Sequence, residues 1–262
     1  MMMSRTTLSR LAGWALFIGL VLGWELVCRW SGLSRLVLPA PSVIWEALWT
    51  GLRTGYFWPH LLWTSTELVL GLAIGCVTGF FGGIAMGEWP WLRRLLFPYV
   101  VASQVVPKLA LAPLFIVWFG FGMTSTVVIT ALICFFPLME NTLTSLQQVD
   151  PRKQELFRML GATRLQTLLR LKIPSGLPVI MAGFRVAVVL ALVGAVVGEF
   201  IGGSKGLGAL IIASQGMMDT PLMFAVLLLI TLLGLGVYQL AIVLERLLLW
   251  PHLRKSEKEI KP

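Results

Sequence analysis

Charge is scarce in this chain: 13% of its 262 residues are Asp, Glu, Lys or Arg, against 57% that are apolar, and the mean hydropathy is +0.86. That excludes an ordinary soluble domain, in which about a quarter of the residues are charged. Acid is the scarcer sign, with 12 Asp and Glu against 21 Lys and Arg. The three cysteines, Cys28, Cys76 and Cys134, show no CxxC or His spacing, which points to packing roles instead of a disulfide framework or a metal site. H-E-x-x-H is absent, and so is any G-x-x-x-x-G-K-[ST] phosphate loop, so the chain cannot hydrolyse ATP by that route.

Long apolar runs are abundant. A hydrocarbon core of ~30 Å takes about 20 residues of helix to cross. Runs of that order fall at 11–28, 62–86, 96–120, 124–145, 178–200 and 222–244. They predict an all-α integral membrane protein with six transmembrane helices. Arg5 and Arg10 ahead of the first run also describe a signal peptide, but no small-residue cleavage site follows and the run ends in Trp24-Glu25-Leu26, so a retained helix is expected. The net charge of +9 raises nucleic acid as a partner, yet its distribution argues for membrane topology. With a cytoplasmic N-terminus, one side collects Arg5, Arg10, Arg93, Arg94, the six basic residues from Arg152 to Lys172, Arg246, Arg254, Lys255, Lys258 and Lys261; the other holds Arg29, Arg35, Arg53 and Lys205. Fifteen against four predicts both termini in the cytoplasm and leaves no basic patch for tracking nucleic acid.

Along the chain, LPAPSVIWEAL, with Pro39 and Pro41, predicts a short extracytoplasmic helix after the first span. Residues 1–58 thus form an N-terminal region, 59–248 a core of five spans, and 249–262 a cytoplasmic tail. In the second span, glycines recur every fourth residue at 71, 75, 79, 83 and 87, which predicts a helix face open to close approach by a neighbouring backbone. The third span is broken by Pro107 and Pro113, with Lys108 between them. Glu140, Arg185 and Glu199 are further charges at membrane depth, and these four residues are candidates either to line a pathway or to pair between helices.

The most polar stretch lies past the middle. Asp150-Pro151 is a capped helix start and Gly161 a left-handed stop, so a helix is expected over 151–160. Thr163 with Gln166 fits a capping box, and Pro174 is expected to close a second short helix over 164–172. Leu156, Phe157 and Leu160 make an apolar patch on the first, and Leu165, Leu168, Leu169 and Leu171 on the second, with arginines elsewhere. Such a pair suits anionic lipid or a groove on a partner protein equally well.

The run ELFRMLGATRLQTLLRLKIPSGLPVIMAGFRVA resembles the cytoplasmic EAA loop of type I permease subunits of ATP-binding cassette importers, approximately E-A-A-x-x-x-G-A-[ST] continuing to I-x-[IL]-P-x-x-[LM]-P. Glu155, Gly161, Ala162, Thr163, Leu177 and Pro178 match, while Leu156-Phe157 replaces the two alanines. LPAPSVIWEAL, VVPKLALAPLFIVWFGFG and GEFIGGSKGLGALI are similar to segments of the nitrate, sulfonate, taurine and bicarbonate branch, and the resemblance spans residues 38–248. It implies the importer permease fold of a multi-pass protein in a bacterial inner membrane. By the same resemblance, residues 150–174 hold coupling helices that dock in a cleft of a separate ATPase subunit, which binds the ATP and Mg, so that this chain carries no cofactor of its own. Glu155, Gly161, Ala162, Thr163 and Leu165 would be the coupling residues. A second permease copy and an extracytoplasmic solute-binding protein would complete the assembly. The implied cargo is a small anion (sulfonate, taurine, nitrate) or a heterocycle of the thiamine-precursor kind.

Two other classes compete with this expectation. Gly202-Gly203-Ser204-Lys205-Gly206 fits G-x-S-x-G, with His60 and Asp219 on the same side, but a nucleophile elbow needs a strand before it. An ion-gradient transporter could use Glu140, Glu199 and Lys108 to carry protons, although it would leave residues 150–174 without a role.

Overall fold

The computed structural model describes the backbone of residues 5–30, 32, 34 and 36–259, and the side chains within these except at 5–11, 14, 109 and 250–259. Arg35 and Lys261, and the side chains of Arg5, Arg10, Arg254, Lys255 and Lys258 in the charge count, therefore lie outside the described residues, as does most of the 249–262 tail. Among the described residues all regular structure is helical. The helices are α1 (Arg5–Trp30), α2 (Pro41–Arg53), α3 (Trp58–Glu88), α4 (Pro90–Val105), α5 (Ala112–Phe119), α6 (Met123–Gln147), α7 (Pro151–Met159), α8 (Arg164–Thr167), α9 (Ile173–Gly202), α10 (Leu207–Gly216) and α11 (Thr220–Glu259). Trp58–Glu88, Met123–Gln147, Arg164–Gly202 and Thr220–Leu249 are long and apolar enough to cross a membrane.

The centre is a three-helix layer with α6 between α3 and α9. A side chain at Gly71, Gly75, Gly79 or Gly83 would come within 2.5–2.6 Å of Thr130 or of the backbone oxygens of Ala131, Phe135 and Met139, so the four-residue glycine repeat is where α3 lies backbone to backbone on α6. On the other face of α6, a Cβ at Gly176, Gly183, Gly194 or Gly198 of α9 would meet Ser145, Asn141, Thr130 or Thr126 at 2.6–3.0 Å. Lipid tails are as apolar as leucine, so burial drives little helix association in a bilayer; small residues allow the dispersion contacts that do. Two serines of α6 are satisfied locally, Ser125 donating to Gly122 O at 2.9 Å and Ser145 to Thr142 O at 2.7 Å, while the buried Thr130 and Thr142 hydroxyls have no partner among the described residues.

The expected third crossing is two helices. α4 ends at Val105, the chain passes through Pro107 and a 3₁₀ turn at Lys108–Leu111, and α5 starts with Pro113 in its first turn, where a missing N–H costs nothing. α2 has Ala40 at its N-cap, with no capping side chain. Glu25 of α1 takes over that task, accepting from the Ser42 N–H at 3.0 Å and the Ser42 hydroxyl at 2.8 Å. Ile44 and Leu48 of α2 then pack with the fully buried Phe57, Leu207 and Val226, which fixes α2 and α10 to α11.

Candidate functional site

Residues 150–172 leave the bundle as a self-braced turn. The Asp150 side chain accepts from the Arg152 N–H at 2.8 Å and Pro151 fills the first position of α7, the predicted start. At the other end, Ala162 N–H reaches Phe157 O and Gly161 N–H reaches Arg158 O, both at 3.0 Å, which is the Schellman arrangement. Gly161 has φ +74° and a Cβ there would meet nothing within 4 Å, so its glycine is required by conformation and not by space. Thr163 and Gln166 form the reciprocal capping box, with Gln166 N–H to Thr163 Oγ1 at 3.2 Å and Thr163 N–H to Gln166 Oε1 at 2.8 Å.

The second short helix does not end at Pro174 as its sequence suggests. α8 passes through a π-helical turn, Leu168–Lys172, straight into α9. Pro174 sits in the first turn of α9, just after the i→i+5 register has diverted the hydrogen bonds, so its missing N–H breaks nothing. Residues 164–202 are one rod of 39 residues, long enough to span.

The apolar patches divide between inside and outside. Leu171 is buried, whereas Leu156, Met159, Leu160, Leu165 and Leu169 are 55–80% exposed. Between α7 and α8 lies a cleft of about 410 Å³ lined by Glu155, Arg158, Ala162 and Arg164, with Glu88 and Lys172 also in its wall. The predicted coupling residues are thus brought together: Glu155 and Ala162 on the cleft, Gly161 and Thr163 in the turn beside it, and Leu165 exposed on α8. Lys172 Nζ lies 2.6 Å from Glu88 Oε1, at the last residue of α3, with both side chains 15% exposed.

The four intramembrane charges are not gathered in one place. Lys108 donates to Gln104 Oε1 at 2.5 Å, and its Nζ is 5.9 Å from the centre of the Phe136 ring. Glu140 is exposed on α6. Arg185 Nε is 3.2 Å from Glu245 Oε2, an ion pair between α9 and α11. Glu199 is 1% exposed at the far end of the bundle, where Oε1 accepts from Thr64 Oγ1 at 2.6 Å and Oε2 from the Gly208 N–H at 2.5 Å. Thr64 in turn accepts from the Leu207 N–H at 2.8 Å. The wholly buried Glu67 abuts Glu199 and accepts from Trp63 Nε1 at 2.8 Å.

Glu67, Glu88 and Glu245 escaped the sequence reading. For Glu67 the signal was the one that singled out Glu199, an acid inside an apolar run, whereas Glu245 stands just past the end of the last run. The hydrolase constellation is not assembled: His60 Nδ1 faces the Gly206 backbone, 3.0 Å from its O and 3.2 Å from its N, Asp219 caps α11 by accepting from Leu222 N–H at 3.0 Å, and Ser204 follows a helix instead of a strand.

Comparison with known proteins gives this architecture a family. Residues 71–249 match the family described as the binding-protein-dependent transport system inner membrane component. The chain is 38% identical to the riboflavin transport system permease protein RibX of Chloroflexus aurantiacus over 229 residues, 87% of this chain and 85% of that one. It is 36% identical to the formylaminopyrimidine transport permease protein ThiX of Halalkalibacterium halodurans, covering 89% and 92% of the two chains. With the putative aliphatic sulfonates transport permease protein SsuC of Escherichia coli the identity is 33%, covering 92% and 91%. Among solved structures, the inward-facing MetNI methionine ABC transporter shares the fold with a TM-score of 0.62 at 18% identity, over 73% of this chain and 94% of that one. An amino acid ABC transporter also scores 0.62 at 20% identity, over 76% and 97%. The chain belongs to the inner-membrane permease family of binding-protein-dependent transport systems, and is a transport subunit of an importer for small solutes, not an enzyme.

Proposed function

We propose that residues 151–172 form the docking element for a separate ATP-hydrolysing subunit, and that ATP-driven closure of this partner moves α9. The observation that carries the reading is the continuous rod of residues 164–202: a push on the exposed turn is a push on a membrane-spanning helix whose small-residue face lies against α6. Glu155, Gly161, Ala162, Thr163 and Leu165 are the coupling residues, and exposed Leu156, Met159, Leu160 and Leu165 are the apolar surface that the partner covers. ATP and Mg belong to that partner, since the chain has no phosphate loop.

The core, residues 59–248, crosses the bacterial inner membrane with α4, the 3₁₀ turn and α5 acting together as the third of six crossings, and both termini are cytoplasmic. A second permease copy completes the pathway, and an extracytoplasmic solute-binding protein delivers the solute. Arg185 is paired with Glu245 and Glu199 is hydrogen-bonded by Thr64, whereas Glu140 is exposed and Lys108 meets neutral groups, Gln104 and the Phe136 ring, so we assign the pathway role to Lys108 and Glu140. For cargo, identities of 38% and 36% to relatives named for riboflavin and formylaminopyrimidine, against 33% to one named for sulfonates, favour a small nitrogen heterocycle over an anion.

The test is to replace Cys28, Cys76 and Cys134 by alanine, introduce Ala162→Cys, and cross-link in native membranes before purification. A stoichiometric P-loop ATPase attached at position 162 is the expected product. A chain that stays uncross-linked and purifies alone would return residues 151–172 to the lipid surface.

A further inference from the structure

The coupling turn has a second connection to the bundle besides its peptide continuity with α9. Glu88 and Lys172 are 84 residues apart in sequence, yet their ion pair closes at 2.6 Å with both side chains 15% exposed. An ion pair this sheltered is screened far less than a surface pair, and losing one partner leaves a half-buried charge unanswered. The pair sits at a junction. Glu88 ends α3, and Gly87 before it lies on Leu146, where a Cβ would be 2.7 Å away. Lys172 ends the π-helical turn, and Gly176 one turn on lies on Ser145, also at 2.7 Å. Both α3 and α9 thus rest on the last turn of α6, and at this end the ion pair, in the wall of the cleft, joins the end of α3 to the π-helical turn that leads into α9.

We infer that Lys172–Glu88 is a positioning pair that makes α3 travel with the docking turn, so that one displacement of residues 151–172 moves two membrane helices. Covalent continuity alone carries the motion to α9. α3 is hydrogen-bonded to α9 at the far end, through Thr64 and Glu199, but along α6 it has a glycine seam with contact and no polar hold among the described residues, and at the docking end the ion pair supplies the hold. The inference rests on the proposed docking of an ATPase at residues 151–172.

The experiment uses the complex purified with its ATPase subunit, in the cysteine-free background, with spin labels at Met159→Cys on α7 and Phe81→Cys on α3, both exposed. Distances are measured without nucleotide and after trapping with ATP and vanadate. With the ion pair intact, the two labels keep their separation between the states. In Lys172→Met and in Glu88→Gln the separation changes by about 2 Å or more on trapping, the scale of helix shifts at interfaces. The exchanged pair Lys172→Glu with Glu88→Lys restores the fixed separation, which a role in packing alone would not do. Should a single variant fail to assemble, the exchanged pair decides: a fixed separation supports the tie, and a shifting one overturns it. A separation that stays fixed in both single variants also overturns it. Failure of the ATPase to copurify with the unsubstituted chain sinks the docking reading instead.

Discussion

Gly161 offers a test in which conformation and contact separate cleanly. Its φ of +74° lies in the left-handed region, and a Cβ added there meets nothing within 4 Å. An alanine therefore creates no clash; it costs only the backbone preference, about 1–2 kcal/mol for an L-residue. If docking requires the turn, the docking-competent fraction falls with that energy, and the apparent Kd for the ATPase subunit rises about 5- to 30-fold. Asparagine tolerates this region better than other L-residues, so Gly161→Asn weakens binding less than Gly161→Ala. Gly161→Val weakens it more, because a β-branched residue is a true outlier at positive φ. Proline cannot reach the conformation and also removes the N–H donated to Arg158 O, so Gly161→Pro abolishes docking. The assay is a titration of the purified chain with the ATPase subunit, with detergent Tm followed in parallel. Tm stays nearly constant across the series, since the turn is exposed and can relax locally. Equal affinity for the asparagine, alanine and valine variants, or alanine binding better than asparagine, would refute the reasoning.

Two further predictions concern the bundle. Gly75→Ala puts a Cβ 2.6 Å from Ala131 O, a backbone atom that can yield only if α3 and α6 part, at a cost of about 1–3 kcal/mol. Gly82→Ala, whose Cβ would find its nearest neighbour at 3.6 Å, is tolerated, and equal detergent Tm losses for the two would count against the seam. At the opposite end, Glu199→Ala leaves the Thr64 hydroxyl and the Gly208 N–H without their acceptor, about 1–3 kcal/mol for each buried group. Glu199→Gln keeps one amide oxygen and loses less. Limited proteolysis between α9 and α10 reads the difference, and identical cleavage of the two variants would show that Glu199 does not hold that turn.

What was legible in the sequence was chemistry that acts within a few residues. Asp150 with Pro151, Gly161, and Thr163 with Gln166 each satisfy backbone groups two to five positions away, and each stands where its local pattern placed it. The glycine repeat was legible for a related reason: four-residue spacing keeps small residues on one helix face, although nothing in the spacing says that α6 is what lies there. Pro174 was misread because proline ends a helix only when its N–H is needed, and that depends on register, which a π-helical turn had already shifted.

The charges fall on the other side of the same line. Glu199 meets Thr64 across 135 positions and Lys172 meets Glu88 across 84, distances over which no local pattern operates. A charge inside an apolar run announces that it has a partner, because it would otherwise be expelled or neutralised. Choosing between pathway and pairing requires knowing which helices are neighbours. Once α3, α6 and α9 are layered and α11 is laid against α9, Glu199 and Arg185 acquire hydrogen-bonding or ionic partners on other helices, whereas Glu140 stays exposed and Lys108 meets neutral groups, Gln104 just before the break and the Phe136 ring of α6. That residue of unspent polarity, on the exposed side of α6 and at the interrupted third crossing, is what supports the proposed pathway role of Glu140 and Lys108.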